Sequence, residues 1–516
     1  METVELHIPA SPWTLALPLG ADTRTYLYLI LCLALSILAC SHLLRKPTSS
    51  RPVLNPSGFE IIGLQRRIDF NNTAGGLITQ GREKFPGKPY HLITDTCDLL
   101  VLPPTFAEGI RNNPDLDLTS TVEEDFHAYV PGFEAFRGGR EDEITNMITE
   151  PLSRETDFAL KQRFGVSNDW KEYKVYEEIL DVVARISTRV FLGPELCRNE
   201  EWLRITKNYT VDSFIAAFVL RIFPRSLRSL VHWFLPQCRS IRQQLADARK
   251  LILPAVQARR KLRASVQAEG KVVPDFNDAI DWLDQEAKGD PYDVVSCQLG
   301  MSMAAIHTTT DLLTETMQNL AMHPELVEEL RREIVEVLSA GGWKKTSLYN
   351  LKLMDSVLKE SQRVRPAGTL VMQRKATRTT KLPDGSTLAK GQRCAVDSFG
   401  PSGMASSEVY DNPSAFDPHR FERMRGQPGL DSKAHLVATG PAHLGFGHGQ
   451  HSCPGRFFAS NELKVALCHL LIDYEWRFAD GYTPKRMENG FMLGTDPEAR
   501  ILLRRRSQPE VELLGL

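Results

Sequence analysis

No C-x-x-C pair, no surplus of charge of one sign, no internal repeat and no long low-complexity tract occur in this chain of 516 residues. Its 9 cysteines, an odd number, lie scattered, which disfavours a disulfide framework or a zinc ribbon and suits a reducing compartment. With 62 basic against 64 acidic residues the net charge is −2, so there is no polycationic field for nucleic acid and no acidic tail. A hydrophobic content of 42% at so low a net charge argues against disorder and provides for a large buried core. Length alone admits about three domains or one large fold. No G-x-G-x-x-G unit follows a strand-like stretch, so the chain carries no flavin- or nicotinamide-binding cradle of its own.

What is present starts with one apolar run. Tyr26 to Leu44 reads YLYLILCLALSILACSHLL, with no charge until Arg45 and Lys46. At 1.5 Å per residue it spans about 28 Å, close to the roughly 30 Å hydrocarbon core of a bilayer. Tyr26 and Tyr28 suit an interfacial aromatic belt. A cleaved signal peptide is the alternative. Against it, Glu2, Glu5 and Asp22 precede the run where a basic segment belongs, and no clear small-x-small cleavage site follows. The expected organisation is a lumenal segment 1–25, a transmembrane anchor 26–44, a linker 45–58 stiffened by Pro47, Pro52 and Pro56, and a globular domain 59–516. Arg45, Lys46 and Arg51 after the span place the globule in the cytosol by the positive-inside rule.

From about Asp142 onward helical periodicity dominates. Glu172 to Phe191 repeats Val175, Ile179, Val182, Val183, Ile186 and Val190 at three- and four-residue spacing, the stripe of an amphipathic helix. Pro291 to Met322 is uncharged and rich in small residues through its middle, as suits a helix at the centre of a large globule. His323-Pro324 punctuates it, and Glu325 to Leu338 reads as the next helix. Strand-like text is short: His91 to Val101, Thr369 to Thr377 and Arg393 to Asp397, with Pro383-Asp384-Gly385 as a hairpin turn. Phe214 to Leu235 mixes aromatics and aliphatics with Arg221, Arg225 and Arg228. It reads either as a membrane-surface stretch or as a pair of core helices broken at Pro224. The fold class is mainly α with a minor β portion, in a single large domain.

The chemistry concentrates at F-G-H-G-Q-H-S-C-P-G-R, from Phe446 to Arg456. Gly447 and Gly449 precede Cys453, and Pro454-Gly455 follow it. Such glycines permit positive φ and close backbone approach, so the loop can present one sulfur. Amide donors near a thiolate tune a metal's potential. A lone cysteine is usually an inert buried residue; the whole string is what sets this one apart. It resembles the haem-thiolate loop of the cytochrome P-450 family, F-x-x-G-x-x-x-C-x-G, with His451 in place of the usual arginine two before the cysteine.

Three further segments follow that resemblance. Glu360-Ser361-Gln362-Arg363 matches the family's E-x-x-R, whose members three apart share a helix face. Phe416 to Phe421 resembles the segment that supplies a second arginine, here Arg420, completing a Glu360–Arg363–Arg420 triad. Ala304-Ala305-Ile306-His307-Thr308-Thr309 is similar to the family's small-small-x-acid-Thr-Thr. There the first threonine helps deliver protons for oxygen activation, a task suited to a hydroxyl that both donates and accepts. His307 departs from the usual acid. It reads as a relay group or as a satisfied buried histidine, and the departure resembles fungal terpenoid-modifying members near the ent-kaurene oxidase group. Thr309 completes the motif. Arg374 stands where the family has a haem-propionate arginine; Phe446, Gly447, Gly449, His451 and Gly455 are the other cofactor-loop positions. Gly368 to Val371 and Phe491 to Leu493 fall where substrate-lining residues lie.

The resemblance covers about residues 50 to 505. It implies the cytochrome P-450 fold, haem b held by Cys453 as thiolate, and insertion of one oxygen atom of O2 into a lipophilic substrate. The implied substrate is a terpenoid, a meroterpenoid or another fungal secondary metabolite. It further implies electrons from NADPH through a separate cytochrome P-450 reductase, with cytochrome b5 as a second donor. The implied location is the endoplasmic reticulum membrane, in single-pass topology with the catalytic domain cytosolic. Two rivals stand beside this reading: a haem-thiolate isomerase or dehydratase that needs no reductase, and a non-catalytic binder of a hydrophobic ligand.

Overall fold

The computed structural model describes residues 51–56, 64–137, 149–272 and 275–516. The expected lumenal segment 1–25 and anchor 26–44 lie outside the described residues, as does most of the linker 45–58. Among the described residues no helix is long and apolar enough to cross a membrane. Residues 51–56 of the linker stretch lie along the first strand: the Leu54 N–H donates to His91 O and the His91 N–H to Pro52 O, both at 2.9 Å.

The longest apolar helix, Val294–Met322, is the axis of the domain. Asp293 caps it by accepting from the Val295 and Ser296 amides at 3.2 Å, which satisfies donors that the first turn leaves free. It stops at His323, and Pro324 opens the next helix, Pro324–Gly341, at the position where a missing N–H costs nothing. Against it packs Val175–Phe191, whose predicted stripe is buried along its whole length. That helix begins three residues later than its periodicity suggests. Lys171–Lys174 instead forms strand β4, paired with β12 (Arg500–Arg505), because sheet pairing outweighs the helical propensity of a charged stretch.

The strand-like text His91 to Val101 is two strands. β1 (Tyr90–Ile93) and β2 (Asp98–Leu102) form an antiparallel hairpin. The Thr94 hydroxyl accepts from the Thr96 and Cys97 amides and turns the chain between them. β3 (Leu116–Asp117), β5 (Leu370–Ala376) and β8 (Arg393–Asp397) complete a five-stranded sheet of order β1-β2-β8-β5-β3. β6 (Thr380–Lys381) and β7 (Thr387–Leu388) flank the Pro383-Asp384-Gly385 turn, where Gly385 takes φ +80°. β9 (Tyr474–Phe478) joins β4 and β12 in a second sheet, and β10 (Met487–Asn489) pairs with β11 (Met492–Gly494). Pairing slips by a bulge between Val371 and Arg374, with Met372 at φ +50°; a bulge re-aims the side chains beyond it.

Phe214 to Leu235 is a helix pair broken at Pro224. Glu200–Arg221 ends before it, and Pro224 caps Arg225–Val231. The pair is not simply core: Phe214, Ile215, Phe218, Ile222, Leu227, Leu230, Trp233 and Phe234 are exposed.

Candidate active site

The Phe446–Arg456 loop is a tight excursion between the sheet side and the helix Arg456–Asp473. Gly447 and Gly449 sit at φ +68° and +80°, the left-handed region that glycine occupies without strain. Gly449 also has no room for a side chain, since a Cβ there would meet Arg111 at 2.4 Å. The Cys453 amide donates to Phe446 O at 2.8 Å, closing the loop on itself, and Arg456 Nη1 donates to Cys453 O at 2.8 Å. Cys453 is half-buried and unbridged, just ahead of an 18-residue helix whose N-terminal dipole favours a thiolate. Burial pushes the Cys197 and Cys238 thiols up to about 11 and the Cys394 thiol to about 12, and it raises Cys97 and Cys468 as well. Those five are held as inert thiols at neutral pH.

Behind the loop the structure brings Glu360, Arg363 and Arg420 together. Arg363 grips the Glu360 carboxylate with two bonds of 2.7 and 2.8 Å, and Arg420 Nε donates to both oxygens at 3.1 Å. All three are buried. The outer N–H groups are used too. Arg363 donates to Met404 O and Pro413 O at 2.8 Å and to Ala415 O at 3.1 Å, while Arg420 donates to Asp411 O at 2.7 Å. A buried ion pair gains little net stability by itself; this one ties the segment 404–420 to the helix Lys352–Val364.

Arg374 is buried, and only its Nη1 finds a protein acceptor, Gln373 O at 2.8 Å. Nε and Nη2 have none, and burial lowers the guanidinium to about 10. His451 lies close enough that burial and the Arg374 charge both lower its pKa. Two unpaired guanidinium nitrogens beside the cysteine loop are a site for a carboxylate.

On the central helix, Ala304 and Thr308 are exposed and share one face, four residues apart. The Thr308 hydroxyl donates to Ala304 O at 2.7 Å, the back-bond that loosens a helix locally. His307 points elsewhere. Its Nε2 is 3.2 Å from Lys207 O on the helix Glu200–Arg221, and burial lowers its pKa. Thr309 is buried without a full hydrogen bond for its hydroxyl, near Glu462. Glu462 was not singled out by sequence. Its carboxyl accepts from the Ser187 hydroxyl at 2.6 Å, and burial raises it to about 8, so it stays protonated at neutral pH. The one legible signal for it is an acid inside the apolar run that follows Cys453.

The softer positions also converge. The Thr369 amide donates to Phe491 O at 2.8 Å, which joins Gly368–Val371 to Phe491–Leu493. Phe126 stacks on Phe136 at 4.0 Å and meets Phe214 edge-on at 4.8 Å. Segment 134–136 approaches the central helix so closely that a Cβ on Gly300 would meet Ala135 O at 3.0 Å.

A family model for Cytochrome P450 matches residues 134–503. The chain is 46% identical to the cytochrome P450 monooxygenase hepE of Aspergillus oryzae, over 92% of this chain and 90% of that protein. It is 41% identical to the cytochrome P450 monooxygenase eqxH of Fusarium heterosporum, over 89% and 91%. Among solved structures it is similar in fold to retinoic acid-bound cyanobacterial CYP120A1, at a TM-score of 0.65 and 16% identity, covering 89% of this chain and 100% of that one. The chain belongs to the cytochrome P450 family. It is a haem-thiolate monooxygenase whose cofactor is haem b.

Proposed function

We propose that Cys453 would hold the haem iron as thiolate, with Phe446, Gly447, Gly449, His451 and Gly455 shaping its loop, and that Arg374 would hold a propionate. The observation that carries this reading is the pair of buried, unpartnered nitrogens, Nε and Nη2, on Arg374 beside His451 and the cysteine loop. A haem carboxylate is the acceptor that geometry lacks, and the half-buried Cys453 supplies the sulfur donor. When bound, the haem supplies the activation of O2 and the transfer of one oxygen atom to the substrate. The protein's part is orientation and proton control. Thr308 moves protons at Oγ1, giving its own and accepting another on a free lone pair. His307, neutral and tied to Lys207 O, positions the central helix against its neighbour. Thr309, turned about 100° around that helix from Thr308, adjoins the protonated Glu462.

The substrate is lipophilic, a terpenoid, meroterpenoid or similar fungal secondary metabolite, oriented by Phe126, Phe136 and the strand ends near Gly368 and Phe491. Aromatic and aliphatic walls with few polar groups favour such a ligand. Electrons come from NADPH through a separate reductase, with cytochrome b5 as a second donor. The domain is held at the endoplasmic reticulum membrane by residues 26–44, with the exposed Phe214–Leu235 face resting on the lipid. The exposure of Leu230, Trp233 and Phe234 beside Arg225 and the phosphate-seeking character of a basic amphipathic stretch support this orientation.

The CO difference spectrum of dithionite-reduced membranes tests the ligand. A red-shifted thiolate Soret band in the wild type, lost in Cys453→Ser, is expected. No such band in haem-replete wild type overturns the assignment.

A further inference from the structure

The helix that begins after Cys453 ends in a second cluster of donors. His469 lies 13 residues beyond Arg456, about 20 Å along the axis at 1.5 Å per residue. Its side chain is fully buried, with Trp343 stacked on the ring at 5.5 Å and 6° between planes. Nε2 is 2.9 Å from the Ser153 hydroxyl, whereas Nδ1 has no hydrogen-bond partner. One turn on, Asp473 Oδ2 stands 3.6 Å from that nitrogen. Asp157, from the helix Thr149–Phe164, brings a second carboxylate, and one donor atom from each of the three residues lies within 4.8 Å of the others.

The Ser153 bond admits either ring tautomer; in the one that gives Nε2–H to Ser153, the Nδ1 lone pair faces two carboxylates, and a cation between them would satisfy all three. Lys161 pairs with Asp157 at 2.8 Å, and Arg505 stands 4.0 Å from Asp473. Neither reaches the ring nitrogen by hydrogen bond, which stays buried and unsatisfied. Ser153, His469 and Asp473 also follow the order of a hydrolytic triad, but Ser153 is buried and out of a substrate's reach.

We propose that Asp157, His469 and Asp473 bind a divalent cation of the zinc class, with water completing its coordination. One imidazole nitrogen and two carboxylate oxygens suit such a borderline ion. At bonds of about 2.1 Å, neighbouring ligands of a tetrahedral ion lie roughly 3.4 Å apart. The 3.6 Å between Nδ1 and Asp473 is close to that edge, and a turn of the partly exposed Asp157 carboxylate closes the wider span. Ser153 and Trp343 fix the imidazole's orientation, the support that metal-binding histidines use. The bound ion ties the far end of the cysteine-loop helix to the helix Thr149–Phe164.

The test uses the full-length, haem-loaded protein with any affinity tag removed, stripped with a chelator and re-equilibrated with Zn2+. Mass spectrometry of the desalted protein is expected to find one more zinc per haem in the wild type than in His469→Gln or Asp473→Asn. Saturating zinc is expected to raise Tm by about 2–4 °C in the wild type alone. Lys161→Gln, at a partly exposed position, frees Asp157 of its rival cation and should tighten zinc binding several-fold. Should either buried-site variant fail to fold, Asp157→Asn takes its place. Equal zinc in wild type and variants, weaker binding in Lys161→Gln, or no zinc and no Tm response in the wild type each overturn the site; the last means that a proton shared with Asp473 holds the ring.

Discussion

Glu462→Gln isolates the protonated acid behind the central helix. The unfolded chain ionises this carboxyl near pH 4.5, whereas the folded protein keeps its proton up to about pH 8. Between those values the unfolded state binds fewer protons, so the group's contribution to stability falls as pH rises. A gap of about 3.5 pH units, at about 1.4 kcal/mol each, sets a ceiling of about 5 kcal/mol of destabilisation above pH 8. About 3 kcal/mol of it is already in force at pH 7, and under 1 kcal/mol at pH 5. Glutamine keeps the shape and still accepts from the Ser187 hydroxyl, but it cannot ionise. Urea unfolding of the haem-loaded protein at pH 5, 6, 7 and 8 reads the difference directly. The variant is expected to match the wild type at pH 5 and to exceed it by a few kcal/mol at pH 8, with an unchanged m-value. Parallel curves across that range would refute the neutral acid, and so would a variant that grows weaker as pH rises.

Four further outcomes follow from the site. Arg374→Leu removes two unpaired buried nitrogens, so the haem-free protein should be no less stable. Loss of a charge-assisted pair, worth about 1.5–3 kcal/mol, should speed haem loss to apomyoglobin roughly 10- to 100-fold. Glu360→Gln strands two guanidinium groups in the core and should cost about 3–5 kcal/mol in urea unfolding, far more than breaking an exposed pair such as Glu201–Arg204. Thr308→Ala should keep substrate-induced spectral shifts and NADPH consumption while product per NADPH drops several-fold in a reductase-coupled assay. Leu230→Asp with Phe234→Asp, in a chain lacking residues 1–44, should abolish flotation with anionic vesicles without moving Tm. Undiminished flotation would separate that face from the membrane.

The parts of the site that a reader of the sequence could find are those written in side chains at fixed spacing. Cys453 with its glycines, Glu360 with Arg363 three residues on, and the buried stripe of Val175–Phe191 all depend on local geometry that a helix or tight turn imposes. What escaped the sequence is what depends on partners distant along the chain. β4 took Lys171–Lys174 out of a helical pattern because β12, more than three hundred residues later, offered a free edge. The turn at Thr94–Cys97 split one apparent strand into two through a side-chain acceptor that strand propensity does not count.

His307 makes the same point at the active site. Its type and position admit a proton relay, and its neighbours in sequence do nothing to exclude one. The acceptor that occupies its Nε2 is a backbone carbonyl, Lys207 O, one hundred residues away, and a carbonyl leaves no mark in a sequence. Burial then lowers the ring's pKa, so the group where the family carries an acid is neutral at pH 7. If the ring works by joining two helices, His307→Asn, which still reaches a carbonyl through a side-chain amide, should keep the coupling of NADPH to product across pH 6–8, whereas His307→Ala should loosen it and lower Tm together. If the ring carries protons, both variants should lose coupling alike with Tm unchanged. The two helices it bridges are the one that presents Thr308 and the one that presents Phe214. The tether therefore sets the distance between the face proposed to handle protons and the aromatic residues proposed to orient the substrate.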